Sequence, residues 1–593
     1  MKVLLACALA LIFVGGACVY NDIQSQKSEV SQRLGDEDSS TITSDIATSA
    51  KSSELVWPFI PGVSELVKAY YISSSKGLDS NDGSIKSPWK SLDKISSIKL
   101  EAGDRVCFQK GDRFNGHFVV NGSGTQTQPI IITSYGSGKQ AILSGQVGES
   151  NGGDFQEAIL VENQDNIIFR DLEVHNERLS SREGINDADA YGILILNSGT
   201  QVMKNFLFQK VTFKNVYAPK PILKDAGEDA FNGLEVSALT FLTEQNRVAG
   251  KEKNIQDVLV EDCYFENLQR LGVHIKHKGS RGKIGNEEIN SNKNFVFRNN
   301  EFHHTGGTCI LPIRTYNCLI ENNLFNYPGD SSDPRMPARG SAVWTWHCYN
   351  TVIQYNKCQH IRGYLDSHGV HIDHNNHNTF VQYNYMEDCE GGFVEILGGN
   401  VNSIYRFNIS VNDGWRENPK WKTSNHTLWL NEVVAYGEKQ SEQSYIYNNT
   451  IYMDRDYSTS IDIDAKNTYV FNNIFYAKQG AIGTKQMNIK DHGSDFVLSH
   501  NLYQGFISPR FIKRDAQAIK ADPQFYKVRL GSDQGFQLQA GSAAIGAGMV
   551  RDVPSVPGAG QGIFKHVPAY PTVDFYGKLL DVSKPSIGAS KDK

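Results

Sequence analysis

The chain has 593 residues, a formal net charge of −6 at pH 7 and a sequence pI of about 6.3. This length exceeds one ordinary globular domain, so the sequence predicts either several domains or one elongated repeat. We expect no nucleic-acid partner, because the basic residues show none of the clustering that phosphate contacts need.

The amino terminus is predicted to be a secretory leader. An apolar run at 3–14 follows Met1 and Lys2, and its length is typical of a signal peptide and too short for a membrane span. The small residues before Cys18 are similar to the cleavage box of bacterial lipoproteins. We therefore expect a lipoprotein-type signal peptide over 1–18 and lipidation of Cys18, with cleavage by ordinary signal peptidase as the alternative.

The next segment, 19–55, is predicted to be a disordered tether. It is rich in Ser, Thr, Gln, Asp and Lys and has almost no aromatic residues, so it cannot bury enough surface to fold. Together the two segments predict a secreted protein, or an outer-membrane or periplasmic lipoprotein, of a bacterium. Its only expected contact with a membrane is the lipid anchor.

Residues 56–150 are assigned to an N-terminal cap and the first coils. A short capping helix is expected after Ser87, because Ser can cap a helix, Pro88 can occupy its first position, and apolar residues recur every three positions from Trp89. The stretches LEAGDRVCFQKGDRF and PIIITSY that follow are typical of strands broken by Gly and Asp turns.

Repeated segments with paired asparagines predict the central architecture. NFVFRNNEF, NCLIENNLF, NTFVQYNYM and NSIYRFNIS each alternate apolar residues and carry an Asn six places after the first. The second asparagines fall at 300, 323, 356, 384, 408, 449, 473 and 501, so the base period is near 24 residues. A period of this size without a leucine signature predicts one coil of a parallel β-solenoid per repeat, with asparagine amides laddering between coils. We assign 151–510 to this solenoid and its groove, and 511–593 to C-terminal coils and a cap.

The ends of this region resemble the right-handed parallel β-helix proteins of the pectate-lyase-like superfamily. AYYISSSKGLDSNDG with AGDRVCFQKGDRF is similar to the first coils of its bacterial secreted, carbohydrate-active members, and FQLQAGSAAIGAG with DFYGKLLDVSKPSIGA is similar to its last coils. The resemblance implies an all-β fold, a right-handed parallel β-helix with a short N-terminal capping helix and a C-terminal capping segment. It also implies a polysaccharide or oligosaccharide substrate. The superfamily includes lyases, hydrolases, esterases, epimerases and adhesins, so the fold leaves the chemistry open.

A carboxylate pair in the stretch 366–416 is the candidate catalytic centre. Alignment of the repeats places His371 and Glu395 one coil apart, about 4.8 Å, and Asp373 lies on the same face as His371 because it follows two residues later. Asp373 and Glu395 predict the acid/base and nucleophile of a glycosidase, in either order, with His371 tuning or orienting them. Their spacing is similar to that of an Asp and a Glu in a β-xylosidase family with a β-helix core, and it is compatible with a retaining or an inverting reaction.

Other residues around this pair are predicted to bind substrate. Asp366 and Arg416 lie at the two ends of the stretch, and Arg406 occupies a strand position within it; we expect all three to position a saccharide. Trp344 and Trp346 alternate to one face just upstream and suit stacking on sugar rings. The insertions 327–340 and 415–442 are expected to wall the groove.

The main prediction is therefore a monomeric glycoside hydrolase that requires no cofactor and has no metal site. The alternative is a polysaccharide lyase that uses Lys276 and His274 in GVHIKHKGSR, with Ca²⁺ as a possible helper in that case. A third hypothesis is that the protein is a non-catalytic carbohydrate-binding solenoid. His368, His374 and His377 do not have the spacing of a familiar zinc site.

Overall fold

The chain winds into a parallel β-helix whose successive coils pair their strands in register. The computed structural model describes residues 68–221, 231–245, 252–279, 288–363, 365–416, 425–431 and 439–591. Each coil contributes strands to three parallel sheets, which we call sheet 1, sheet 2 and sheet 3 and whose strands are numbered in chain order. The predicted all-β parallel helix is confirmed. The leader, the tether and the lipidation site Cys18 lie outside the described residues.

Sheet 1 forms one side of the solenoid. Its strands are β1 (Ala69–Ile72), β2 (Arg105–Gln109), β5 (Ile130–Tyr135), β8 (Ile167–Arg170), β11 (Met203–Gln209), β14 (Ile255–Glu261), β17 (Asn292–Arg298), β20 (Thr315–Glu321), β23 (Tyr349–Gln354), β26 (His377–Gln382), β29 (Val401–Arg406), β32 (Glu442–Tyr447), β35 (Lys466–Phe471) and β37 (Phe496–Ser499).

Sheet 2 follows sheet 1 in each coil. Its strands are β3 (Arg113–Asn115), β6 (Ala141–Ser144), β9 (Leu172–Glu177), β12 (Thr212–Tyr217), β15 (Tyr264–Leu268), β18 (Glu301–Thr305), β21 (Leu324–Pro328), β24 (Lys357–Gln359), β27 (Tyr385–Glu387), β30 (Ile409–Val411), β33 (Thr450–Met453), β36 (Ile474–Lys490), β38 (Leu502–Ile507) and β39 (Ile519–Lys520).

Sheet 3 carries the predicted site. Its strands are β4 (Phe118–Val119), β7 (Glu157–Glu162), β10 (Asp189–Asn197), β13 (Glu235–Thr243), β16 (Leu271–His277), β19 (Ile310–Ile313), β22 (Val343–Thr345), β25 (His368–Ile372), β28 (Gly392–Ile396), β31 (His426–Leu430) and β34 (Ser458–Asp464). The long strand β36 pairs with strands of both sheet 2 and sheet 3.

The helices are short. They are α1 (Leu92–Ser96) and α2 (Pro509–Ile512), with 3-10 turns at Glu149–Asn151 and Gly562–Phe564. The helix expected after Ser87 begins later, because the Trp89 backbone pairs with Tyr71 and Ser73 as an added strand position. Ser91 caps α1 instead, by accepting a hydrogen bond from the Lys94 amide at 3.1 Å. None of the helices among the described residues is long and apolar enough to cross a membrane.

The asparagine ladder is present and buried. From Asn300 to Asn473, the side-chain amide of each ladder asparagine donates to the side-chain oxygen of the next at 2.9 or 3.0 Å. The last amide, of Asn501, donates to Asp515 Oδ2 at 2.8 Å. Because each amide also bonds a neighbouring carbonyl, the ladder satisfies backbone groups at the turn and fixes the register of successive coils.

The C-terminal segment covers the outer sides of sheets 1 and 2. Val556 and Phe564 pack with the outward side chains of sheet 1, such as Leu259 and Val296, and Phe536 packs against sheet 2. The outer side of sheet 3 is left to the polar and aromatic residues of the site.

Candidate active site

The outer side of sheet 3 places His371 and Glu395 next to each other. Their neighbours in each strand are buried aliphatic residues, so the period of a strand turns these two side chains outward. The register pairs His371 of β25 with Glu395 of β28, as the repeat alignment predicts. The same row continues in both directions, and we call it the central row. It contains Trp344, His371, Glu395, Trp429, Asp462 and Asn488.

Asp373 is held by several donors beside the central row. Trp344 Nε1 donates to Asp373 Oδ2 at 2.6 Å, and the His374 amide donates to Oδ1 at 2.8 Å. The His374 ring also contacts Oδ1. Burial raises the pKa of Asp373, but the hydrogen bond from His374 and the charges of His371 and His374 outweigh it and leave the pKa below its ordinary value. Asp373 is therefore ionised at neutral pH.

Asp366 is turned toward the row by an unusual backbone. Leu365, Asp366 and Ser367 have φ values of 55°, 23° and 65°, a run that non-glycine residues rarely adopt. Arg339 Nε donates to Asp366 Oδ2 at 2.7 Å, while Oδ1 lies 3.6 Å from His371 Nδ1. Burial opposes ionisation of this carboxyl, but Arg339 and His371 hold its pKa below the ordinary value.

Glu395 lies deepest in the cluster. Its Oε2 is 2.6 Å from His368 Nδ1 and 3.5 Å from His371 Nδ1, yet neither contact has hydrogen-bonding geometry. Burial raises the pKa of Glu395 to about 8, and the charges of Asp366 and Asp373 add to this effect. Burial and Arg416 lower the pKa of His368 to about 3. Burial thus favours the neutral form of both Glu395 and His368.

The three carboxyls differ in exposure. The side chains of Asp366 and Asp373 are 10% and 11% exposed, whereas that of Glu395 is 1% exposed. A group that attacks or protonates a substrate must touch it, and the side chains of Asp366 and Asp373 are better exposed for such contact than that of Glu395.

The two predicted arginines do not face the groove surface. Arg416 donates to the carbonyls of Leu365 at 2.6 Å and Asp366 at 3.1 Å, so it holds the turn that carries Asp366. The prediction that Arg406 contacts substrate is wrong. Its strand β29 belongs to sheet 1, where the guanidinium is buried against Gln382 and Tyr447.

Both predicted tryptophans lie at the groove. The half-buried indole of Trp344 stacks on the His371 ring with centroids 5.1 Å apart and planes 4° apart. Trp346, two residues after Trp344, is also half-buried, and its backbone pairs with that of Ile313. Trp344 therefore supports His371 and Asp373 as well as offering an aromatic surface.

One end of the groove is closed. Phe231 is buried between the guanidinium groups of Arg270 and Arg339, at 4.6 and 4.4 Å from its ring centre. Leu311 and His274, which lie in preceding strands of sheet 3, are buried as well. In the other direction Asn431 and Asn488 are half-exposed and Lys490 is exposed. Among the described residues, the groove is therefore covered on the β19 side and bordered by half-exposed side chains on the β31 side.

The wall residues were missed by the sequence interpretation. Arg339 lies in the insertion 327–340, which does wall the site as expected, but nothing local in the sequence marks it as the partner of Asp366. Trp429 could have been found by continuing the register one coil past Glu395. Much of the second insertion, at 417–424 and 432–438, lies outside the described residues.

The residues of the lyase alternative are engaged elsewhere. Lys276 Nζ lies 2.6 Å from Glu235 Oε1, and burial lowers the pKa of His274 to about 3. Strand β16, which carries both, is three coil steps from β25, about 14 Å.

One group of possible metal ligands occurs in the described part of the chain. Single atoms of Asp366, His371 and Glu395 lie within 4.8 Å of one another. Burial raises the pKa of Glu395, so a cation would have to compete with a proton for this carboxyl.

Replacing Glu395 with glutamine is expected to remove a pH dependence of stability. The folded pKa of about 8 lies above the ordinary 4.5, so the folded protein keeps a proton that the unfolded chain releases. The stability that this proton contributes to the folded state is fully present below about pH 4.5. As pH rises from there to about 8, the free energy of unfolding falls. Glutamine does not titrate, so E395Q should gain stability relative to the wild type as pH rises.

Urea unfolding between pH 5 and pH 9 measures this difference. The exposed-carboxyl control Glu101→Gln should follow the wild-type profile. Parallel profiles for E395Q and the wild type would contradict the burial of a neutral Glu395.

Comparisons with known proteins give one similar sequence and several similar structures. No protein-family model matches the chain. A lacto-N-biosidase of Bifidobacterium longum subsp. longum is 24% identical over 530 residues, which cover 76% of this chain and 31% of that enzyme. The chain therefore spans about a third of the length of the curated relative it matches.

The structural similarities are more distant. The crystal structure of a GH136 lacto-N-biosidase from Eubacterium ramulus is 18% identical with a TM-score of 0.47, and the match covers 77% of this chain and 67% of that one. A complex of XylC with xylose is 10% identical with a TM-score of 0.45, and the match covers 88% and 98%. Along about three quarters of its length, the chain is thus similar in sequence to a lacto-N-biosidase.

Proposed function

We propose that this protein is a glycoside hydrolase that cleaves an oligosaccharide at Asp366 and Asp373. The observation that carries the proposal is that the carboxylates of Asp366 and Asp373 lie beside His371 and Trp344 on the outer side of sheet 3, with side chains more exposed than that of Glu395. The similarity to a lacto-N-biosidase supports it. Of the catalytic pair expected from the sequence, the proposal retains Asp373. It replaces Glu395 with Asp366, because the side chain of Glu395 is covered.

In this proposal Asp373 is the nucleophile. Trp344 Nε1 and His374 stabilise its negative charge. Its oxygen forms a bond to the anomeric carbon while the glycosidic carbon–oxygen bond breaks. The result is a glycosyl ester on Asp373.

Asp366 is the acid and then the base. Asp366 is ionised in the free protein, so it must take up a proton as the saccharide binds. This proton passes to the oxygen of the leaving sugar, and in the second step Asp366 takes a proton from the water that attacks the ester, which restores both carboxyl groups. Asp366 and Asp373 repel each other's negative charge. A saccharide that excludes water from the pocket therefore favours one shared proton on the pair.

The closed end of the pocket favours action at the end of a saccharide. Phe231, fixed between Arg270 and Arg339, blocks the path along sheet 3 just before Trp344. A long polymer could not continue in that direction, so we propose exo action with release of a short saccharide.

The test is hydrolysis by the purified protein of a 4-nitrophenyl lacto-N-bioside and of a panel of neutral and acidic polysaccharides. We expect new reducing ends without the ultraviolet absorbance of an unsaturated sugar, and a first product that keeps the anomeric configuration. We propose that no metal or organic cofactor is needed, so dialysis against EDTA should leave turnover unchanged. Equal growth of reducing ends and absorbance would establish a lyase and contradict the proposal.

Secretion, the lipid anchor and the monomeric state remain predictions from the sequence.

A further inference from the structure

We propose that Trp429, Asn431, Asp462 and Asn488 form a second sugar-binding subsite, which holds a neutral sugar on the leaving side of the cleaved bond. We call these four residues the downstream subsite. The inference rests on the proposed function and adds to it a direction for the saccharide, along the axis of the solenoid.

The first support is position. Trp429, Asp462 and Asn488 follow Glu395 in the central row at one, two and three coil steps, about 5, 10 and 14 Å. Trp344 occupies the same row on the other side of His371 and Glu395. The two tryptophans therefore bracket the carboxyl cluster, and a saccharide that crosses the cluster along this row meets both.

The second support is the chemistry of the row. The half-buried indole of Trp429 is held by a stack on the His426 ring, with centroids 4.7 Å apart and planes 11° apart. An indole fixed in this way offers apolar surface to the CH face of a sugar at little cost in side-chain entropy.

The polar residues beyond Trp429 are also fixed in place. Asn488 Nδ2 donates to Asp462 Oδ1 at 2.8 Å, and Asn431 Nδ2 donates to Oδ2 at 3.2 Å. One carboxylate thus orients two amides, and amide groups suit hydroxyls that both donate and accept. The amides leave the negative charge of Asp462 in place, so a uronate or a sulfated sugar would be repelled. A neutral saccharide is the ligand class that fits.

The third support is the shape of the groove. Phe231 closes the end beside Trp344, so only the end of a saccharide fits there. Toward β31, β34 and β36, Asn431 and Asn488 are half-exposed, so within the described part of the chain the groove continues in that direction. We therefore expect the part of the saccharide that leaves to extend over the downstream subsite.

The test compares two leaving groups on the same glycone. A 4-nitrophenyl group ends within one sugar length of the cleaved bond, whereas a disaccharide leaving group reaches the downstream subsite. For Trp429→Ala and for Asn488→Ala we expect kcat/KM to fall about tenfold with lacto-N-bioside linked to a disaccharide, through KM. With 4-nitrophenyl lacto-N-bioside the change should stay below about twofold, and the pH profile should not move; tenfold corresponds to about 1.4 kcal/mol.

Two variants guard against a structural effect. Trp429→Phe keeps an aromatic face and should recover most of the loss. Tyr570→Ala removes an exposed aromatic from the C-terminal segment and should change neither substrate. Equal losses with both leaving groups, or no loss with either, would overturn the inference while hydrolysis by the wild type still stood. Absence of hydrolysis by the wild type would instead overturn the proposed function.

Discussion

Replacing Asp373 with asparagine is expected to lower turnover by about 10⁴-fold or more, because an amide cannot form the glycosyl ester on which the proposed reaction depends. The loss should appear with both 4-nitrophenyl and disaccharide leaving groups. It should appear in kcat, because Asp373 takes part in the step in which the glycosidic bond breaks. Initial rates over a range of substrate concentrations measure it.

The structure supplies a control and a rescue for this variant. In D373N the side-chain oxygen can still accept a hydrogen bond from Trp344 Nε1. The new NH2 group would face the backbone N–H of His374, which is also a donor, and this mismatch would cost about 1–3 kcal/mol of stability. Asp464→Asn alters another buried carboxylate of sheet 3, paired with Lys490, and should keep turnover within about twofold. Azide should restore activity to Asp373→Ala, because the shorter side chain leaves space for a small nucleophile. Retention of more than a tenth of wild-type turnover would show that Asp373 is not the nucleophile.

Replacing Asp366 with asparagine is expected to slow hydrolysis of a saccharide leaving group by about 10²–10⁴-fold, the usual contribution of a general acid. The loss with a 4-nitrophenyl leaving group should be less than about tenfold, because nitrophenolate departs without a proton. Arg339 can still donate to the amide oxygen, so the turn at 365–367 should remain in place. Thermal unfolding checks this.

The pH profile distinguishes this variant from those of the downstream subsite. If Asp366 gives the proton, the kcat profile of the wild type should have an alkaline limb, and D366N should lose it. Glu390→Gln changes a nearby buried carboxyl that accepts a hydrogen bond from the Gly363 amide, and it should keep the wild-type limb. A D366N enzyme with equal losses for both leaving groups and an unchanged profile would assign Asp366 to positioning alone.

The repeat in the sequence was sufficient to predict the fold and part of the site. In a parallel solenoid each coil pairs in register with the next, so equivalent positions of the repeat become neighbours in space. The ladder from Asn300 to Asn501 and the adjacency of His371 and Glu395 follow from this local rule. The placement of Trp344 and Asp373 on the same side of sheet 3 follows from the period of a strand.

The choice among the three carboxyls could not be read from the repeat. Glu395 has the correct register but is covered, while Asp366 is brought in by a left-handed backbone run and by Arg339 from an insertion. Arg406 was misplaced for a related reason: its repeat position was recognised, but the sheet to which that position belongs was not.

Sequence periodicity alone was enough to predict the solenoid, the register of its coils and the adjacency of His371 and Glu395 on one side of sheet 3. These follow from local periodicity, which parallel pairing converts directly into contacts. The three-dimensional packing was needed to show which side chains of the site are exposed, which carboxyls favour a proton and where the groove is covered. Those properties depend on burial and on charges from distant parts of the chain, such as Phe231 and Arg339, and no local pattern records them.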